Sequence, residues 1–178
     1  MMSNETYMNA ASIIAETFSK DPNTKTGCII VNPEGEIVGA GYNQLPSEEL
    51  SWDDKGWAAR HAEVDAIADA FKNRSVDIEN IDKYIMYVTL FPCHPCAHLV
   101  IASGFKKLYT NCDKYKESGK YLNSETKQLL KKSRVSVNFD LCDIQADLKD
   151  QDAYNMLKEY AEKYNPYMLE YFEGGVEL

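Results

Sequence analysis

Long apolar runs are missing from this sequence. The longest nearly apolar stretch, Ala97 to Phe105, is broken by His98 and Ser103 and falls far short of the ~20 residues that a membrane-spanning helix needs. The start, Met1-Met2-Ser3-Asn4-Glu5, has no basic segment leading into an apolar one. No secretory signal is read there, and a cytoplasmic location with no membrane partner is expected. Positive charge is in short supply: 19 Lys and Arg face 28 Asp and Glu, a net charge of −9. That excludes general affinity for nucleic-acid backbones, which needs clustered positive charge. There are five cysteines, at positions 28, 93, 96, 112 and 142. An odd number at scattered spacings is no disulfide framework, and without export the thiols are expected to stay reduced. Internal repeats, low-complexity segments and linkers are also lacking.

What is present reads as an ordinary globular chain. Its 178 residues are 44% hydrophobic, 11% aromatic and 26% charged, which suits one domain and argues against disorder. Charge is uneven. Residues 140–178 hold 10 acidic and 3 basic side chains, while residues 106–134 hold 9 basic and 3 acidic. The first reads as an acidic helix with a solvated tail. The second reads mostly as a solvated face, with one or two lysines free to serve a phosphate.

Periodicity supplies the elements. Residues 3–18 carry Tyr7, Ala10, Ala11, Ile14 and Phe18 on one helical side, ended by Asp21-Pro22-Asn23. Residues 28–31 and 37–42 form a hairpin around Asn32-Pro33-Glu34-Gly35. A long acidic loop follows over 44–57, then a helix from Ala58 to Phe71. A strand over 84–90, a helix ending at Gly104, a strand over 107–110, a helix from Asn123 or Ser124 to Lys132, a strand over 135–139 and a helix over 152–164 complete the order. A hairpin followed by alternating helices and strands predicts a mixed five-stranded sheet between helical layers.

Two short patterns carry chemistry. His61-Ala62-Glu63 opens one predicted helix, and Pro92-Cys93-His94-Pro95-Cys96 opens another. One imidazole and two thiolates make a zinc set with a fourth position open to water, the usual catalytic arrangement. Cys93 and Cys96, three apart in a first helical turn, face the same way, where the helix N-terminus favours thiolates. Glu63 then sits beside the metal as a proton shuttle. Cys28 as a fourth ligand, giving a closed structural site, is the rival reading. A pair of core thiols is another, and His94 with His98 lacks the further ligands that a second metal site needs.

These patterns resemble the zinc-dependent cytidine and deoxycytidylate deaminases. The blocks Asp21-Pro22-Asn23-Thr24-Lys25-Thr26-Gly27, Gly41-Tyr42-Asn43, Tyr87 to Cys93 and Asp113-Lys114-Tyr115 narrow the resemblance to the deoxycytidylate (dCMP) branch, over about Tyr7 to Val135. It implies a three-layer α/β/α cytidine-deaminase-like fold, with residues 1–178 as a single deaminase domain. It implies zinc held by His61, Cys93 and Cys96, with Glu63 as the catalytic shuttle. It puts Asn43, Thr26, Cys28 and Tyr115 at the substrate, with Lys114 placed to help at a phosphate. It further implies a small nucleotide substrate, hydrolysis of dCMP to dUMP and ammonia for thymidylate synthesis, and a homo-oligomer, often a hexamer. Effector dNTPs, with accompanying Mg²⁺, would act allosterically. The alternatives are a deaminase of dCTP or of a 5-substituted dCMP, and a non-catalytic zinc-containing regulatory subunit. Glu63 argues against the last, since a structural site needs no shuttle. The net charge argues against deamination of tRNA or single strands.

The sequence departs from the family pattern in three places. Asp65 stands where asparagine is frequent. The acidic end from Asp140 has no counterpart. Gln44-Leu45-Pro46-Ser47-Glu48-Glu49 replaces a Gly-Phe-Pro-Arg-Gly type loop that contributes to the effector site. Exchanging an arginine for two glutamates beside a triphosphate turns attraction into repulsion, about 1 kcal/mol per close pair in water and ~4 at a partly shielded surface. We therefore expect weak or absent activation by dCTP and inhibition by dTTP. The measurement is dCMP turnover with and without each triphosphate in added Mg²⁺. A sigmoidal curve made hyperbolic by dCTP would contradict this reading of the loop.

Overall fold

The computed structural model describes residues 1–111, 122–142 and 144–173. Among them the order is α1 (Asn4–Phe18), β1 (Gly27–Val31), β2 (Ile37–Tyr42), α2 (Lys55–Ala58), α3 (Ala62–Lys72), β3 (Ile85–Val88), α4 (His94–Ser103), β4 (Lys107–Thr110), α5 (Leu122–Lys132), β5 (Ser136–Asn138) and α6 (Gln151–Tyr164). The strands lie in the order β2-β1-β3-β4-β5. β1 runs antiparallel to both β2 and β3, and β3, β4 and β5 are mutually parallel. The expected mixed five-stranded sheet is the one found. No helix among the described residues is long and apolar enough to cross a membrane.

Alternation along the strands builds two cores. Ile29, Val31, Tyr87 and Tyr109 point to one face, against α1 and α6. Cys28, Ile30, Met86, Val88 and Leu108 point to the other, against α3, α4 and α5. Three layers follow, with both strands of the β1–β2 hairpin buried on both faces although β2 is an edge strand. α1 begins at Ser3, whose hydroxyl accepts the Thr6 N–H at 3.1 Å. It is buried on more than the one stripe its period suggests, because α6 covers it from outside. Asn9 on α1 donates to Asp150 at the start of α6 at 2.8 Å and accepts the Asp147 N–H at 2.9 Å.

Three expectations need correction. The acidic loop over 44–57 contains a 3₁₀ turn, Trp52–Asp54, and the short α2. The helix expected from Ala58 starts at Ala62, because Arg60 instead forms a two-residue antiparallel bridge with Gln44, with N–H to carbonyl distances of 2.8 and 3.0 Å. The carboxyl-terminal tail is not solvated throughout. Pro166–Tyr171 makes a 3₁₀ segment that buries Met168, and Phe172 follows it into the core. Tyr160 and Asn165 both donate to Asp69 on α3, the latter at 2.9 Å. A third 3₁₀ segment, Ile78–Lys83, carried no periodic signal.

Two glycines let helices meet the sheet backbone to backbone. A Cβ on Gly41 would lie 2.3 Å from the Ala66 nitrogen and 2.5 Å from the Ala62 carbonyl oxygen, both on α3. One on Gly27 would lie 2.0 Å from the Ala11 oxygen on α1. Gly27 pairs with Tyr42 and Gly41 with Cys28, so the two helices clamp the hairpin from opposite faces at adjacent rungs. The expected result of Gly41→Ala is a loss of about 2 kcal/mol or more, a fall of roughly 4–8 °C in Tm for a chain of this size. Gly56→Ala, where a Cβ meets nothing within 4 Å, serves as the control in the same thermal melts.

Candidate active site

The end of the sheet at which β3 and β4 finish, and at which β1 begins, carries the predicted motifs. Thr89, one residue past β3, ties to the first residue of β1 in both directions. Its N–H donates to the Gly27 carbonyl and its hydroxyl accepts the Gly27 N–H, each at 3.0 Å. The chain then runs to Cys93, the N-cap of α4, with Cys96 in the first turn. On the neighbouring element His61 is the N-cap of α3, and Glu63 lies in its first turn. Two helix N-termini thus converge, and each contributes partial positive charge where anionic donors gather.

The donor atoms of His61, Cys93 and Cys96 lie within 4.8 Å of one another. His61 Nδ1 is 3.3 Å from Cys93 Sγ and 3.4 Å from Cys96 Sγ. Tetrahedral zinc, with bonds of about 2.3 Å to sulfur and about 2.0 Å to nitrogen, holds such atoms roughly 3.5 Å apart. The donor set therefore fits zinc, with His61 binding through Nδ1. Among the described residues no fourth His, Cys, Asp or Glu joins the group. Cys28, the rival fourth ligand, is fully buried with its thiol directed at the Ile29 carbonyl. His94 and His98 pack edge to face, and His94 Nδ1 meets the Thr126 hydroxyl at 3.0 Å.

Electrostatics in the cluster are steep. The Cys96 contact and, beside it, the His61 imidazole pull the Cys93 thiol down to about 4 against the effect of its burial. The reciprocal contact with Cys93, together with burial, pushes the Cys96 thiol up. The Cys93 contact also raises the His61 imidazole. Glu63 is 4% exposed. Its burial holds the carboxyl above the ordinary carboxylate value despite the opposing pull of a backbone N–H, as expected of a proton carrier.

A cavity of about 230 Å³ opens on this cluster. His61, Glu63 and Cys93 line it on one side, with Asp21, Thr24, Thr26, Asn43 and Lys55 among the rest. Thr26 and Asn43 are thus both at the cavity wall. Asn43 spends its whole amide on the protein. Its oxygen accepts the Thr26 N–H at 2.8 Å and the Ser19 hydroxyl at 2.7 Å, and its nitrogen donates to Asp21 at 3.0 Å and to the Thr24 carbonyl at 2.9 Å. It holds the cavity wall together. Cys28 is not among the lining residues; its thiol belongs to the core beneath α3. Lys114 and Tyr115, like Cys112, lie outside the described residues.

Asp65 is neither a cavity group nor an idle surface residue. It accepts from the Tyr42 N–H at 3.2 Å, from Gln44 at 2.8 Å and from Arg60 at 2.9 Å, and so pins the end of β2 and the Gln44–Arg60 bridge to α3. Glu48 and Glu49 beyond that bridge are exposed. Sequence reasoning missed Asp21 and Lys55 at the cavity. Asp21 carried a local signal, since an Asp followed by Pro-Asn-Thr favours a turn in which the carboxylate takes backbone N–H groups. It does so here, from Asn23 at 2.8 Å and Thr24 at 3.1 Å. Lys55 carried none.

Residues 1–112 match the cytidine and deoxycytidylate deaminase zinc-binding region. The chain belongs to that family. It is 40% identical to the deoxycytidylate deaminase of Homo sapiens over 124 residues, which cover 63% of this chain and 66% of the relative. It is 27% identical to a probable deoxycytidylate deaminase of Drosophila melanogaster over 161 residues, 75% of this chain and 76% of that one. The chain spans just under two thirds of the length of the human relative. Among solved structures it is similar to the dCMP deaminase of the cyanophage S-TIM5 in complex with dCMP and dUMP, with a TM-score of 0.60 and 25% identity over 78% of this chain and 99% of that one. The cytidine-deaminase-like fold is thereby established.

The donor geometry predicts one zinc per chain. Metal analysis of the purified protein should return a ratio near one, and Cys96→Ser should lower it severely. A ratio that Cys96→Ser leaves unchanged would place the metal elsewhere.

Proposed function

We propose that this chain is a zinc-dependent deaminase that hydrolyses dCMP to dUMP and ammonia, feeding thymidylate synthesis. The observation that carries the reading is a buried carboxyl, Glu63, two residues from His61 and beside the facing thiols of Cys93 and Cys96, at the wall of a cavity open to a small molecule. The similarity to deoxycytidylate deaminases supports the choice of nucleotide. His61, Cys93 and Cys96 would hold the zinc, and all 178 residues would form one deaminase domain. We further propose a cytoplasmic homo-oligomer.

Zinc, when bound, is a Lewis acid that makes water a usable nucleophile near neutral pH. The rest falls to the chain's own residues. Glu63 takes a proton from the attacking water at its carboxylate and delivers it to the pyrimidine ring nitrogen. It then takes the second proton from the hydroxyl newly bonded to the ring carbon and passes it to the amine, so that the C–N bond breaks, the carbonyl forms and ammonia departs. Burial suits both halves of that task, because it raises the carboxyl above its ordinary value and so makes it a better acceptor of the water proton. The two helix N-termini offset part of the negative charge of the thiolates. Thr26, Asn43 and the turn at Asp21, tied to one another by hydrogen bonds, keep their part of the cavity wall in place.

The test is ammonia release from dCMP, dCTP, CMP, deoxycytidine and 5-methyl-dCMP, measured side by side. dCMP should be the best substrate. Glu63→Gln should keep zinc and fold and lose at least ~10²–10⁴-fold in turnover, since glutamine matches the shape and cannot carry protons. Preference for dCTP or 5-methyl-dCMP would move the assignment to those nucleotides. Activity near wild type in the glutamine variant would remove Glu63 from the mechanism.

A further inference from the structure

We infer that Lys55 is the residue through which this site recognises the 5′-phosphate of its substrate, and that buried Asp21 fixes its ammonium group for that task. The inference rests on the nucleotide reading above and goes beyond it by assigning a residue that the sequence did not single out.

Among the described residues lining the cavity, Lys55 is the only lysine or arginine. It stands on α2, with Gly56 and Ala59 as neighbours in the lining. The reacting groups His61, Glu63 and Cys93 belong to the same cavity. A pyrimidine presented to Glu63 must extend its sugar and phosphate toward other parts of the lining, and a dianion there needs a cation.

Lys55 is held for this purpose. Its Nζ donates to the Asp21 carboxylate, 3.1 Å from Oδ2 and 3.3 Å from Oδ1. Asp21 is itself immobile. Its side chain is 3% exposed, and it accepts from Asn23, Thr24 and Asn43 as well. Burial works to raise the Asp21 carboxyl, and the Asn23 and Thr24 N–H groups with the Lys55 ammonium outweigh it and hold it below its ordinary value. So many donors on one carboxylate spread its charge and reduce its repulsion of a second anion. The Lys55 side chain stays 38% exposed, and an ammonium has three N–H donors to offer. Asp21 acts here as a positioning residue and Lys55 as the contact.

The described lysines of the basic stretch 106–134 are engaged elsewhere where their contacts are defined. Lys106 donates to the Ser133 carbonyl at 3.1 Å. Lys107 lies over the Tyr109 ring. Lys127 lies over the rings of Phe91 and Phe139, with Phe91 between it and the cavity. None of these three lysines is among the residues that line the cavity.

The test compares Lys55→Met, Lys55→Arg and Lys114→Met in the zinc-loaded protein. For each, kcat/KM is measured with dCMP and with deoxycytidine, and dUMP and deoxyuridine binding are measured by calorimetry. Lys55→Met should lower the dCMP-to-deoxycytidine ratio of kcat/KM at least tenfold, mainly through KM for dCMP. It should weaken dUMP binding by a similar factor relative to deoxyuridine. Lys55→Arg should restore most of both. If Lys55→Met leaves both ratios unchanged, or if Lys114→Met alone collapses them, the proposal is overturned. Wild-type protein that binds dUMP through Lys55 yet releases no ammonia from dCMP would overturn the deamination reading and leave the phosphate contact standing.

Discussion

At Gly41 the backbone of β2 lies directly on the backbone of α3, with no side chain between them, and at Gly27 the backbone of β1 meets α1 in the same way from the other face. Close packing of this kind leaves a helix no freedom to slide, because any shift brings carbonyl and amide atoms into overlap. α3 starts four residues past Ala58 for a related reason. Arg60 is taken by the bridge to Gln44, and Asp65 ties that bridge to the end of β2. The consequence reaches the chemistry. His61 can only be the N-cap of α3, and Glu63 can only be in its first turn, facing the N-cap of α4 at Cys93.

That geometry sets the electrostatics. Two helices point their positive ends at one place, where one imidazole and two thiols converge and a carboxyl is buried. In water a carboxyl and a thiolate so close would simply repel. In this setting the helix ends compensate in part, and burial holds the Glu63 carboxyl above its ordinary value. On the far wall the order of importance reverses. Asn43 and Asp21 are saturated by partners within the protein, so they supply rigidity, and Lys55 is proposed to supply the charge.

The carboxyl-terminal third works as a clasp. α6 shields α1, Phe172 and Met168 complete its core, and Tyr160 with Asn165 reaches across to Asp69 on the helix that carries Glu63. Phe18 at the end of α1 stacks on Tyr42 and meets Tyr171 and Phe172 edge on. This part lies beyond the residues that match the family, yet it packs on the same two helices that the glycines fix.

Much of this was legible in the residues alone. The order of elements follows from periods of two and 3.6 and from turn residues such as Asn32-Pro33-Glu34-Gly35. Gly104 marked the end of α4, where it has φ +94°. His61, Glu63, Cys93 and Cys96 declared themselves because metal chemistry demands those side chains at short spacings, and short spacings are preserved in one dimension. What escaped depended on contacts between distant segments. The bridge of Gln44 to Arg60, the burial of Phe172, the saturation of Asn43 and the pairing of Lys55 with Asp21, 34 residues apart in the chain, leave no mark on local pattern. They arise only when the sheet brings the start of β1, the end of β2 and the end of β3 to one edge. The candidate reacting groups and the strand and helix periods could be read from the residues in order, because these are local properties of side chains. The tertiary structure alone decided which polar groups are spent on building the cavity and which remain free to meet a substrate, because a hydrogen-bond donor is used up only by the partner that folding puts within 3 Å of it.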